Sequence, residues 1–173
     1  MTSLSEDLAW YAIWTASRHE KVANAELSKK GLETFLPLVK VLSQWKDRRK
    51  IIEKPLFAGY FFVHTGLEKR LMILKTTGVA QIVGINNRPA SIPDQEIENI
   101  RILMRSDLKT NPHPFLKIGQ RVRVRTGALQ GCEGILIRKK NISTLVLSIQ
   151  LLQQSVAVEI DALNVEPVLG GSR

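Results

Sequence analysis

The chain has 173 residues, room for one large or two small domains, and with 44% hydrophobic and 24% charged residues it is globular rather than disordered. Lys plus Arg total 25 against 16 Asp plus Glu, a formal net charge of +9 that favours a polyanionic partner. Cys132 is the only cysteine, which excludes an internal disulfide and a Cys-rich metal site, and His19, His64 and His113 lack metal-ligand spacing, so neither metal nor cofactor is expected.

The opening stretch Met1–Asp7 is polar and acidic, with no cationic segment ahead of an apolar one, so no signal peptide is expected. No apolar run approaches the roughly 18 residues that span a bilayer, and a cytoplasmic protein without membrane attachment follows as the expectation. Trp10–Ala16 reads as a buried strand. Ser17 then caps a helix, with Glu20 as its capping-box partner and Gly31 past its end. Val39–Leu42 and the run from Ile51 form a hairpin whose tip is Lys46-Asp47-Arg48-Arg49-Lys50. Pro55 ends the return strand, and Phe57–Val63 is a central aromatic strand. Glu68–Lys75 is a short helix with Leu71, Met72 and Leu74 inward, Val79–Ile85 a strand and Pro89–Pro93 a turn. Asp94 caps a last helix with the stripe Ile97, Ile100, Leu103 and Met104.

Asn111-Pro112-His113-Pro114 marks a linker. Beyond it only strands follow, over 116–118, 121–125, 134–139, 144–149, 155–160 and 165–168, which suits a small, partly open barrel. Arg121-Val122-Arg123-Val124-Arg125 alternates cation and valine, so one face is apolar and the other cationic; either that face docks RNA or protein or it keeps a barrel soluble, the second being preferred. The expected fold class is α+β: an amino-terminal α/β sandwich over 1–106, a linker over 107–115 and a β-barrel over 116–173.

Three passages together resemble the NusG-type transcription elongation and antitermination factors, built from a NusG amino-terminal domain and an SH3-like KOW barrel. They are Trp10-Tyr11-Ala12-Ile13, then Pro55-Leu56-Phe57-Ala58-Gly59-Tyr60-Phe61-Phe62-Val63, then Gly119–Ile137 with Gly127 and Gly134. The resemblance implies binding to RNA polymerase, suppression of pausing or termination, and recruitment of a further partner through the KOW domain. Trp14, Phe57, Tyr60 and Phe62 would line a depression that receives the coiled coil of the largest polymerase subunit. On the residues alone, core is the preferred reading of these four, and it is the resemblance that favours a surface depression. Lys46, Arg48, Arg49 and Lys50 are candidate phosphate contacts, or a solvated loop. Arg18, His19, Lys21, Lys69 and Arg70 are candidate readers of the non-template DNA strand.

Leu151 and Leu152 fall where the family presents an apolar pair to a ribosomal protein or a termination factor, but Gln153-Gln154 replace the general factor's Gly-Arg. That departure counts against such coupling, while Ala58 in place of the motif proline and a short hairpin point to a specialised, operon-specific paralogue of the RfaH, LoaP or UpxY kind. A general housekeeping factor and a ribosome-associated KOW protein that binds RNA are the alternatives. Some specialists refold the KOW domain into helices; the β-branched Val146, Ile149, Val156, Val158 and Ile160 favour strands here. The chain has no Gly-rich phosphate loop ending in Lys-Ser or Lys-Thr and no Gly-x-Ser-x-Gly elbow. Glu96 and Glu98 read as solvated helix acids, so no enzyme is expected, and a monomer is.

Overall fold

A computed structural model describes residues 7–116 and 119–169, so part of the strand expected over 116–118 lies outside the described residues. The fold is α+β, the described residues being mostly strand with three α-helices. Its internal contacts divide it into two compact units, which meet between Ile92 and Pro93.

The first unit runs β1 (Ala9–Thr15), α1 (Glu20–Lys29), β2 (Glu33–Phe35), β3 (Leu38–Trp45), β4 (Arg48–Pro55), β5 (Tyr60–Thr65), α2 (Arg70–Leu74) and β6 (Val79–Ile82). A two-residue hairpin follows, β7 (Gly84–Ile85) and β8 (Arg88–Pro89), turning on Asn86 and Asn87, both in the left-handed region that asparagine tolerates. The main sheet has the order β2-β5-β1-β6, with β1 antiparallel to both neighbours. Its strands carry apolar residues on both faces. Tyr11 and Ile13 of β1 and Phe61 and Val63 of β5 point to one side, where they pack with Ala23 and Leu27 of α1, Leu32 and Ile73 of α2. The opposite side carries Trp10, Ala12 and Trp14, paired in register with His64, Phe62 and Tyr60.

Two helix readings are corrected. The residue flanking α1 is His19, with no side-chain cap, and Glu20 does not close a capping box with Ser17: its carboxylate accepts the Gly59 amide at 2.8 Å. Around α2 the chain starts as a 3-10 turn (Leu67–Lys69), and this shifts the inward face by one position. Ile73 is buried, while Leu71, expected inside, is 69% exposed.

The second unit runs α3 (Asp94–Arg105), β9 (Thr110–His113), β10 (Gln120–Val124), β11 (Glu133–Lys139), β12 (Ile142–Ile149), β13 (Gln154–Ile160) and β14 (Val165–Pro167). The strands form an antiparallel sheet ordered β14-β10-β11-β12-β13-β9. Alternate residues Val122, Val124, Leu136, Leu145, Leu147, Val156 and Val158 are buried, as the period-2 pattern demands. Leu145–Ile160 is strand apart from a short 3-10 turn over Gln150–Leu152. The segment read as linker over 107–115 is partly strand: β9 pairs with β13, Pro112 standing opposite Val156. β9 ends the sheet order, and a proline's missing N–H is tolerated on an edge strand. The sequence places the domain boundary after the last helix; the contacts divide the chain before it, and α3 lies against β12. No helix of the described residues is long and apolar enough to cross a membrane.

Candidate functional site

The aromatic side of the main sheet is the first candidate. Phe62 sits at its centre, fully buried, edge-on to Phe57 (centroids 6.0 Å apart, planes at 82°) and stacked with Phe35 at 6.1 Å. At one end Trp10 lies 5.0 Å from the His64 ring, which Glu33 contacts at 3.2 Å. At the other end Trp14 and Tyr60 face each other across β1 and β5, with β-carbons about 5 Å apart as in any direct antiparallel pair. Trp14 is 45% exposed and Tyr60 half-buried, whereas Phe57 and Phe62 are sealed. The four expected pocket residues therefore divide: Trp14 exposed and Tyr60 half-buried, Phe57 and Phe62 fully buried.

A tight turn sets this open end. Gly59 has φ +86°, the left-handed region where glycine is the low-strain residue, and Trp14 lies along it, the indole 3.6 Å from where a β-carbon would stand. The Gly59 carbonyl accepts from the Thr15 amide at 2.9 Å and from its hydroxyl at 3.3 Å, and the Gly59 amide donates to Glu20. Both ends of this glycine are thus held by residues flanking the start of α1. Sequence reading missed Glu20 here; its burial next to a glycine turn has no local signature.

The hairpin β3–β4 is a separate two-stranded ribbon turning at Lys46 and Asp47, its tip fully exposed. The register sorts its side chains. Trp45 opposes Arg48, Ser43 opposes Lys50 and Val39 opposes Lys54 on one face; Gln44 opposes Arg49 and Leu42 opposes Ile51 on the other. Arg48 and Lys50 therefore share a face with Trp45, which is 65% exposed, while Arg49 does not. Lys54, absent from the sequence-based candidates, joins the Trp45 face by the same alternation. Leu42 and Ile51 form an exposed apolar pair that sequence reading left inside a strand.

Arg18, His19 and Lys21 are exposed at the head of α1, Arg18 with φ +59°, and Lys21 Nζ donates to the Glu53 carbonyl of β4 at 3.2 Å. This bond brings the head of α1 to the hairpin stem. Lys69 is half-buried and Arg70 exposed, on the turn that opens α2.

In the second unit, Leu151 and Leu152 are half-buried in the 3-10 turn before β13, and Gln153 closes it with φ +50°. The arginine strand is largely engaged within the unit. Arg123 forms an ion pair with Glu133 that pushes the guanidinium pKa up, and Arg125 donates to the Leu163 carbonyl at 3.1 Å. Glu96, read as a solvated acid, instead accepts the Gln150 amide at 3.2 Å, and burial raises its pKa against that lowering hydrogen bond. Burial, and then the charge of Glu98, push the Cys132 thiol up to about 12, so at neutral pH it is a neutral turn filler. Among the described residues no group of His, Cys, Asp and Glu is placed to hold a metal.

The family profile described as "Transcription termination factor nusG" matches residues 8–101, more than half of the chain. The chain belongs to the NusG family. A relative, the "Transcription termination/antitermination protein NusG" of Neisseria meningitidis serogroup B, is 25% identical over 174 residues, covering 92% of this chain and 97% of its own. The protein of the same description from Helicobacter pylori strain J99 is 27% identical over 130 residues, 68% of this chain and 74% of its own. Among solved structures, one described as "Domain interaction in Thermotoga maritima NusG" superposes with a TM-score of 0.55 at 18% identity, covering 94% of this chain and 98% of that one. This NusG family is one of transcription termination and antitermination factors, which is the broad function of the chain. The profile takes in all three passages' amino-terminal pair and the first two turns of α3, although α3 has its contacts in the second unit.

Proposed function

We propose that this NusG-family protein rides on transcribing RNA polymerase, holding the coiled coil of the largest subunit with the Trp14–Tyr60 end of its aromatic sheet side and so suppressing pausing or termination. The observation that carries the reading is the pair of rings left open at one end of an otherwise sealed aromatic layer, on a turn fixed by Glu20 and Thr15. Amphipathic helices bind such surfaces through a few aromatic anchors, and Phe62, on the same side of the sheet, is itself locked edge-on against Phe57. The Trp45–Arg48–Lys50–Lys54 face of the hairpin, with Arg18, His19 and Lys21 near its stem and Lys69 and Arg70 at the opening of α2, is the nucleic-acid side. It faces an unpaired non-template strand, with phosphates on the cations and one base on Trp45. The six-stranded sheet is a KOW-type SH3-like barrel, and Leu151 and Leu152 are its contact for a ribosomal protein or a termination factor. The protein serves particular operons as a specialised cytoplasmic paralogue and acts as a monomer.

The test is binding of the isolated polymerase coiled coil to Trp14→Ala and Tyr60→Ala variants of the full chain. Binding falls at least 30-fold while circular dichroism and the melting curve stay those of the parent. Wild-type binding by both variants refutes the assignment of the surface.

A further inference from the structure

Residues 15–21 take the chain from the end of β1 into α1 and form a corner that touches three other segments. On its inner side the corner grips the Gly59 turn. The Thr15 amide and hydroxyl donate to the Gly59 carbonyl at 2.9 and 3.3 Å, and the Gly59 amide donates to Glu20 Oε1 at 2.8 Å. Trp14 precedes this corner in the chain and Tyr60 follows Gly59, so the same bonds hold the backbones of the two open rings against each other. A second left-handed glycine stops the corner from the other direction. Gly78 has φ +88°, and its carbonyl accepts the Ala16 amide at 2.9 Å. A β-carbon at Gly78 would stand 2.9 Å from that of His19, so the corner sits hard against this turn.

The outer side of the corner carries Arg18, His19 and Lys21, all exposed. Lys21 Nζ reaches the Glu53 carbonyl of the hairpin stem at 3.2 Å, which is the third contact. Arg18 takes φ +59°, a conformation that is unfavourable for an arginine and persists only where its surroundings hold it. The start of α1 has no side-chain cap, and cations there oppose the helix dipole. An anion bound by Arg18 and Lys21 therefore steadies a strained turn. Glu20 lies between these two ligand sides. It neighbours Lys21 in the chain, yet its carboxylate is spent inward, on a turn 39 positions away.

We propose that this corner couples the two binding surfaces, with Glu20 as its positioning residue. Resting on the readings of Arg18 and Lys21 as nucleic-acid contacts and of Trp14 and Tyr60 as the coiled-coil contact, nucleic acid on the corner steadies Glu20 on Gly59 and so orders the two rings in advance. No change of shape is needed. A ligand that removes motion from the corner lowers the ordering cost met by the next ligand, and each tightens the other by the same factor.

The test titrates the isolated coiled coil into the full chain with and without a saturating single-stranded oligodeoxythymidylate at low salt, and then the oligonucleotide with and without the coiled coil. Coupling predicts that each ligand tightens the other by the same factor, about five-fold or more. In Glu20→Ala, assayed below its melting temperature, both ligands still bind and the factor falls to near one. Glu20→Gln keeps an acceptor oxygen and restores part of the factor, and Thr15→Val, which lacks only the hydroxyl bond, loses a smaller share. A merely structural Glu20 would weaken coiled-coil binding and leave the factor as in the parent, and that result overturns the proposal. A second readout needs no coiled coil: the oligonucleotide slows hydrogen exchange at the Gly59 amide at least ten-fold in the parent. Unchanged exchange at that amide overturns the coupling whatever the coiled coil does. Failure of the coiled-coil reading appears separately, as binding that survives Trp14→Ala and Tyr60→Ala.

Discussion

Removing the Glu20 carboxylate is expected to loosen the turn on which the open aromatic pair depends. Glu20 is buried one residue into α1, and its Oε1 is the acceptor for the Gly59 amide at 2.8 Å. In Glu20→Ala that amide, part-buried, loses a charged acceptor, a loss of about 1.5–3 kcal/mol. The helix also loses a carboxylate in its first turn, about 0.3–1 kcal/mol at an exposed site. Taken together the cost is about 2–4 kcal/mol, which lowers the melting temperature of a domain of this size by roughly 10–30 °C. Glu20→Gln keeps an acceptor oxygen and recovers about half of that cost. Trp10, Trp14 and Trp45 all belong to the first unit, so tryptophan fluorescence during heating follows that unit alone. The reasoning is refuted if Glu20→Ala melts within a degree or two of the parent, or if Gln is no better than Ala. Because Gly59 backs the Trp14 indole, the same variant should also weaken coiled-coil binding below its melting temperature.

Phe62→Ala empties a fully buried site between two rings and should destabilise the first unit by about 3–5 kcal/mol, against well under 1 kcal/mol for the exposed Trp14→Ala; urea unfolding followed by fluorescence separates them. On the hairpin, Arg48→Ala and Lys50→Ala should each reduce the salt dependence of single-stranded DNA binding by about one phosphate contact, and Trp45→Ala should weaken binding with the salt slope unchanged; Arg49→Ala, on the other face, should matter less in the same titration. The raised pKa of Glu96 sets a pH dependence. A carboxyl that binds its proton more tightly when folded stabilises the fold below its unfolded pKa, and this contribution is lost as pH rises from about 4.5 through the raised folded value. Denaturant midpoints of the second unit, measured from pH 4 to pH 7, should therefore fall less steeply with pH in Glu96→Gln than in the parent; equal slopes would show that Glu96 is solvated as the sequence suggested.

Much of the second unit was legible because its information is local. Val122 and Val124 alternate with the outward Arg121, Arg123 and Arg125 at the strand period, Thr144–Ile149 is a β-branched apolar run, and the bounds expected for these two strands fall within two residues of those observed. The aromatic strand around Tyr60 and Phe62 was legible for the same reason, as was the cationic hairpin. The misreadings share a cause. Leu71 is apolar at a helical position, but the 3-10 entry to α2 rotates it outward. Pro112 looks like a strand breaker until its place at the sheet edge is known. Glu20 looks like a capping-box acid until a glycine 39 positions away is brought to it.

The sequence by itself determined most strands and helices and the basic balance, because periodicity, charge and composition act on neighbours along the chain. Only the tertiary structure decided which aromatic rings stay open, which cations share a face with Trp45, and where α3 is fastened. Those outcomes depend on strand register and on hydrogen bonds between residues dozens of positions apart, and neither is written in any single stretch of the chain.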